Sequence, residues 1–175
     1  MINYLIIPGL GGSGAKHWQT WFENTQPNFK RVEQKNWNEP DIDEWVHVID
    51  TAIDNYERDS VVLVAHSLGC LTVSEWARQH NKKIKGAMLV APPDINIVHN
   101  VLKTNLFDRS PVVKLDFPSV VVASTTDQWS SILNAQSYAQ KWGSHFVDIG
   151  DAGHINADSG HCEWTKGLEI LYSIR

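Results

Sequence analysis

Ser67, Asp127 and His154 follow one another along the chain in the order nucleophile, acid, base. A serine hydroxyl at its ordinary pKa is a weak nucleophile, and it gains strength from an imidazole that a carboxylate holds in one tautomer. Ser67 sits in "VVLVAHSLGCL", flanked by Ala65 and Gly69 as small-x-Ser-x-Gly. That pattern marks a sharp strand-to-helix turn, so tight that only small side chains fit two residues to either side. Gly is usual at the first small position, and the methyl of Ala65 is the smallest departure from it. Such a turn lifts the Ser67 hydroxyl above a sheet and sets the Leu68 N–H at a helix N-terminus, where a developing oxyanion is stabilised.

Asp127 follows the strand-like "PSVVVAS", at a carboxyl-terminal edge where a doubly wound sheet gathers its chemistry, and His154 lies in the Gly-rich "DIGDAGHINADSG". Each has competitors. Asp127 would also serve as a plain cap for a following helix. Asp148, Asp151 and Asp158 are alternative acids, the first within a strand and the other two in the loop of His154 itself. His161, at the opening of the last helix, is the rival base. His66 adjoins the nucleophile, but neighbours on a turn point apart, which suits it to supporting the elbow. A metal reading would combine His154, His161 and Cys162 with an Asp; the spacing matches none of the usual zinc patterns, so no metal is expected.

The stretch "IIPGLGGSGAKHW" carries a second signal. Gly9, Gly11 and Gly14 spell the G-x-G-x-x-G of a dinucleotide loop, and Glu33 falls where a ribose-binding acid would sit. Against that stand Pro8 before the first glycine and a chain with no room for a separate catalytic domain. A phosphate loop is weaker still, because Ala15 occupies the lysine position. The third reading gives this loop to the same chemistry as Ser67. A two-donor oxyanion site takes one N–H from the residue after the nucleophile and one from the loop after an early strand, here Leu68 and Leu10. The glycines then let backbone approach substrate closely. His17 is a candidate for the pocket mouth and Trp129, two residues past Asp127, for a pocket wall.

The elements that must position these residues alternate between short β-branched runs and longer amphipathic segments, the pattern of a parallel sheet wrapped by helices. Strands are expected at Asn3–Ile7, Phe29–Gln34, Ser60–His66, Lys85–Ala91, Ser119–Ser124 and His145–Ile149. Helices are expected at Ala15–Asn24, Asp41–Glu57, Leu68–His80, Gln128–Trp142 and Cys162–Tyr172. In the second of these Trp45, Ile49, Ala52, Ile53 and Tyr56 share one face behind Asp41 as cap. Between Pro92 and Pro118, Ile95, Val98, Leu102 and Leu106 fall at helical spacing, so most of that segment serves the crossover and little remains for a lid.

At 175 residues, with 42% apolar and 20% charged side chains, the chain suits one α/β domain with a substantial core. A formal charge of -5 without a basic block disfavours nucleic acid as a partner. Residues 1–10 lack a basic n-region, and no apolar run approaches the ~18 residues of a membrane span, so no membrane association is expected. Two cysteines, Cys70 and Cys162, offer no disulfide framework. Together these point to the cytoplasm.

Four segments in order, "IIPGLGGSGAKHWQTWFE", "VVLVAHSLGCL", "DFPSVVVASTTDQW" and "WGSHFVDIGDAGHINADSGHCEW", resemble the small α/β-hydrolases similar to retinoblastoma-binding protein 9, a serine hydrolase family. The resemblance covers almost the whole chain. It implies an α/β-hydrolase fold with a six-stranded, mostly parallel sheet in the order 2-1-3-4-5-6 and minimal or no lid. It also implies a catalytic Ser67, Asp127 and His154 and no cofactor. Two departures stand out: Gln128 replaces the proline usual after the acid, and the L-x-C-x-E motif tied to retinoblastoma binding is absent. The expected activity is hydrolysis of a small-molecule ester of short or medium acyl chain. The alternative is a catalytically quiet binding module that kept the fold, with its protein partner unknown.

Overall fold

A computed structural model describes residues 1–103, 106–107 and 112–174. Twelve elements alternate along it: β1 (Asn3–Ile7), α1 (Trp18–Thr25), β2 (Phe29–Arg31), α2 (Ile42–Ile53), β3 (Val61–His66), α3 (Leu68–His80), β4 (Gly86–Val90), α4 (Ile95–Leu102), β5 (Ser119–Ala123), α5 (Ile132–Trp142), β6 (His145–Asp148) and α6 (Thr165–Tyr172). Every strand pair is parallel, and the order β2-β1-β3-β4-β5-β6 is the expected one. β1 to β4 run Asn3↔Val61 and Val62↔Gly86 in register, so all their carboxyl ends meet along one edge.

Side chains alternate across this sheet with period two. Leu5, Ile7, Leu63, Ala65, Leu89 and Val121 meet Trp45, Ile49, Trp76 and Trp142 of α2, α3 and α5 on one face. Ile6, Val62, Val64, Met88, Val90 and Val122 meet Trp18, Phe22, Leu168 and Leu171 of α1 and α6 on the other. Both faces are covered over the inner strands, which is why β3, β4 and β5 read as continuous apolar runs. Buried indoles find partners for their N–H groups: Trp142 donates to Ser74 Oγ and Trp18 to the Ile155 carbonyl. Among the described residues no helix is long and apolar enough to cross a membrane.

Several boundaries differ from those expected, and at three helix ends a side chain takes a backbone group. α1 starts at Trp18 rather than Ala15, because His17 is extended and its Nδ1 accepts from the Gln19 N–H at 3.1 Å. α2 stops at Ile53 rather than Glu57, where Asn55 Nδ2 donates to the Thr51 carbonyl. β2 ends at Arg31; Val32 makes one more bond to Ile6 and the edge strand then leaves the sheet. α5 begins at Ile132 rather than Gln128, capped by Ser131, and the residues after Asp127 form a turn. α6 begins at Thr165, so Cys162 lies before it. Ile95, Val98 and Leu102 do form a helix, α4, capped by Asp94, while Leu106 falls beyond it.

Gly69 packs against the carbonyls of Ile7 and Pro8; a Cβ there would stand 2.7 Å from the Pro8 oxygen. The obstacle is backbone, which cannot swing aside as a flexible side chain would. Gly69→Ala should therefore destabilise the fold by about 1–3 kcal/mol, the usual range for overpacking, measured as a fall in urea midpoint at unchanged slope.

Candidate active site

Between β3 and α3, Ser67 holds φ +53° and ψ −127°, a conformation L-residues rarely adopt. Its N–H donates to the Val90 carbonyl and its own carbonyl accepts from Cys70, both at 2.9 Å, so the strained residue is pinned on both sides. The strain turns the side chain out over the carboxyl edge of the sheet, where the loops after β5 and β6 also end.

His154 Nε2 lies 2.9 Å from Ser67 Oγ, and His154 Nδ1 lies 2.9 Å from both oxygens of Asp127. Asp127 Oδ1 also accepts from the Trp129 N–H at 2.8 Å, which fixes the carboxylate plane, and its side chain is only 3% exposed. A buried carboxylate so placed keeps the imidazole proton on Nδ1 and aims the free lone pair of Nε2 at the hydroxyl. The arrangement can take a proton from Ser67 as a nucleophile forms and return it to a leaving group.

The loop that carries His154 is tied to the loop that carries Asp127. Ser124 Oγ accepts from the Ala152 N–H, and Thr126 Oγ1 accepts from Gly153 while donating to Asp151. From the other side His66 Nε2 donates to the His154 carbonyl at 3.0 Å, so it supports the loop of His154 rather than the elbow expected of it. The competing acids are thereby sorted. Asp151 holds Thr126, Asp148 accepts from the Gly150 N–H, and Asp158 stands in the wall of the cavity. His161 pairs with Ser159, and its carbonyl accepts from the Trp18 N–H. Among the described residues no group of three or more His, Cys, Asp or Glu is arranged to hold a metal ion. Thr126 and Ser124 escaped the sequence reading, because a hydroxyl at a strand end carries no signal of the loop it will hold.

The glycine loop lies directly on the elbow: a Cβ on Gly9 would come within 2.9 Å of Ser67 Cβ and 3.0 Å of the Leu68 nitrogen. Within this loop the Gly11 N–H goes to the Trp37 carbonyl and the Gly12 N–H to Gly9. The Leu10 and Leu68 amides donate to no group among the described residues. Gly14 does not open a helix as a dinucleotide loop requires, and Glu33 points into solvent with its side chain 71% exposed.

Ser67 opens into a cavity of about 620 Å³. Val98 and Leu102 of α4 with Trp129 make an apolar wall, and the Trp129 ring stands 6.0 Å from that of His154. The crossover thus does more than return to the sheet: α4 roofs one side. Gln128, in place of proline, also lines the cavity. His17 also lines the cavity, buried beside His66 at 4.6 Å between ring centroids. Burial pushes the His17 pKa down to about 3, helped by nearby Arg31, His154 and His161, and burial holds His66 well below its ordinary value.

His17 therefore stays neutral in the folded protein at pH values where the unfolded chain takes up a proton. With the folded pKa below the unfolded one of ~6.5, its contribution is full above that value and is lost as pH falls from there toward 3. His17→Asn, which keeps a helix-capping side chain, should remove this dependence. Between pH 7 and 5.5 the variant should lose about 1 kcal/mol less stability than the wild type in urea titrations.

The serine hydrolase family model matches residues 4–173, nearly the full length. A YdeN-like hydrolase of Pectobacterium atrosepticum is 34% identical, with a TM-score of 0.86 over 98% of this chain and 89% of that one. The ydeN gene product of B. subtilis shares the fold at 20% identity, with a TM-score of 0.80 over 99% and 98% of the two chains. Over 103 residues the chain is 31% identical to "Probable lysophospholipase BODYGUARD 4" of Arabidopsis thaliana. That match takes in 52% of this chain and only 25% of the longer plant protein. With its six-stranded α/β-hydrolase sheet and this match along its length, the chain belongs to the serine hydrolase family.

Proposed function

We propose that this protein is a carboxylic ester hydrolase in which Ser67, His154 and Asp127 are the catalytic triad. The observation that carries the reading is the unbroken hydrogen-bond chain from Asp127 through His154 to Ser67 Oγ, facing a cavity beside two unspent amides. Ser67 Oγ attacks the ester carbonyl as His154 Nε2 takes its proton. Asp127 stabilises the imidazolium so formed without itself being protonated. The Leu10 and Leu68 N–H groups are the oxyanion hole, prepaid in orientation and therefore effective only once charge develops on the carbonyl oxygen. His154 protonates the departing alcohol, and a water activated by the same imidazole then cleaves the acyl-enzyme. Every proton in this cycle passes between Ser67, His154, the leaving alcohol and the hydrolytic water, so the steps call for no cofactor.

The wall of Val98, Leu102 and Trp129 suits the apolar part of a small or medium acyl ester. A cavity of about 620 Å³ lies in the range that encloses small ligands. Both cysteines are free, in keeping with work in the reducing cytoplasm.

A fluorophosphonate probe should label the wild type at Ser67, leave Ser67→Ala unlabelled and react far more slowly with His154→Ala. On 4-nitrophenyl esters, turnover should favour butyrate and hexanoate over palmitate, and Asp127→Asn should lower kcat by about a thousandfold or more. A folded wild type that neither takes the probe nor turns over any ester would refute the reading and leave a quiet binding module in its place.

A further inference from the structure

We infer that Arg31, on the edge strand β2, is a positioning residue that presets the oxyanion loop by holding the Gly12 and Ser13 carbonyls away from the site. The inference rests on the oxyanion role given above to Leu10. Register brings the two together: Arg31 pairs with Ile6 on β1, and the loop in question follows β1. The Arg31 side chain is 10% exposed, which for an arginine on an edge strand needs a reason.

That reason is in its partners. Arg31 Nη1 donates to the Gly12 carbonyl and, at 3.2 Å, to the Ser13 carbonyl. Nη2 donates to Thr20 Oγ1 at 2.7 Å, and that hydroxyl in turn lies 2.8 Å from the Ser13 and 3.0 Å from the Gly14 carbonyl oxygen. Nε donates to Glu23 Oε2 at 3.0 Å, while Glu23 Oε1 accepts from the Arg31 N–H. The guanidinium fork thus spends its donors on one loop and on the helix beneath it, an arrangement that a lysine's single ammonium cannot reproduce.

The loop needs such a hold. Gly11, Gly12 and Ser13 lie in succession at φ +78°, +74° and +52°. Glycine backbone crosses between conformations at little cost, and a turned peptide plane here would carry the Leu10 amide away from the elbow. Preorganised donors stabilise a transition state only if they need not reorient during reaction. The two contacts of Glu23, to Arg31 Nε and to the Arg31 N–H, fix the orientation of the guanidinium beneath the loop.

The test is Arg31→Ala, assayed on 4-nitrophenyl butyrate with and without millimolar methylguanidinium, alongside binding of a trifluoromethyl ketone that forms an oxyanion on Ser67. If the folded variant loses kcat by about 10- to 100-fold at little change in KM, binds the ketone proportionately worse and recovers with methylguanidinium, the role stands. Wild-type kcat in the folded variant, or a loss confined to KM, overturns it. Should Arg31→Ala not fold, Thr20→Val removes both the Arg31 Nη2 acceptor and the second donor to the Ser13 carbonyl; it should lower kcat and ketone affinity together, and unchanged values overturn the role. A wild type inactive on every ester and inert to fluorophosphonate refutes the hydrolase reading itself and takes this inference with it, an outcome distinct from an active wild type matched by its variant.

Discussion

Ser67 occupies a backbone conformation that costs on the order of 1–3 kcal/mol, and it does so only because its surroundings leave no other place to go. Its N–H is held by Val90 on β4, the segment behind it by the β1–β3 ladder, and the helix ahead of it by the contact of Gly69 with the Ile7 and Pro8 carbonyls. Three parallel strands and the first turn of α3 must be correctly stacked before the hydroxyl faces outward. The same stacking seats Gly9 on the elbow, so the strained serine and the amides beside it are consequences of one close approach.

Around that point the chain uses backbone groups as the common means of alignment. Ser124 and Thr126 tie the loop of Asp127 to the loop of His154, His66 anchors the His154 carbonyl, and Arg31 and Thr20 collect the carbonyls of the glycine loop. Each hydrogen bond in these ties is worth about 1 kcal/mol in net stability. Their effect is angular: they narrow the range over which four loops from distant parts of the sequence can move against one another.

That Ser67, Asp127 and His154 meet at one edge of the sheet was legible in the sequence, because their order and flanking residues report the sheet topology. Strand order and the alternation of cores were legible for a related reason, since parallel strands buried on both faces are continuous apolar runs. Helix starts were less so. Nothing local distinguishes His17 as a cap from His17 as a first-turn residue until Gln19 and the cavity wall are in place, and the turn after Asp127 exists because its carboxylate takes the Trp129 N–H. The burial of Arg31 was invisible, since an arginine on a short outer strand is normally solvated and its partners come from the loop after β1 and from α1. Interactions that join elements by polar groups leave little periodic trace.

The place of β1 in the sheet bears on how the protein is made. It precedes the other strands in sequence yet lies between β2 and β3, and its register with β3 joins Asn3 to Val61. On a ribosome, the apolar Leu5–Ile7 segment must wait for the whole of α1, β2 and α2 before its second neighbour exists. Pairing of such long sequence separation is slow, and a waiting apolar strand is open to wrong partners. Synthesis of β3 is therefore the step that ends this exposure, whereas the elbow that follows it must still wait for β4, whose Val90 carbonyl holds the Ser67 N–H.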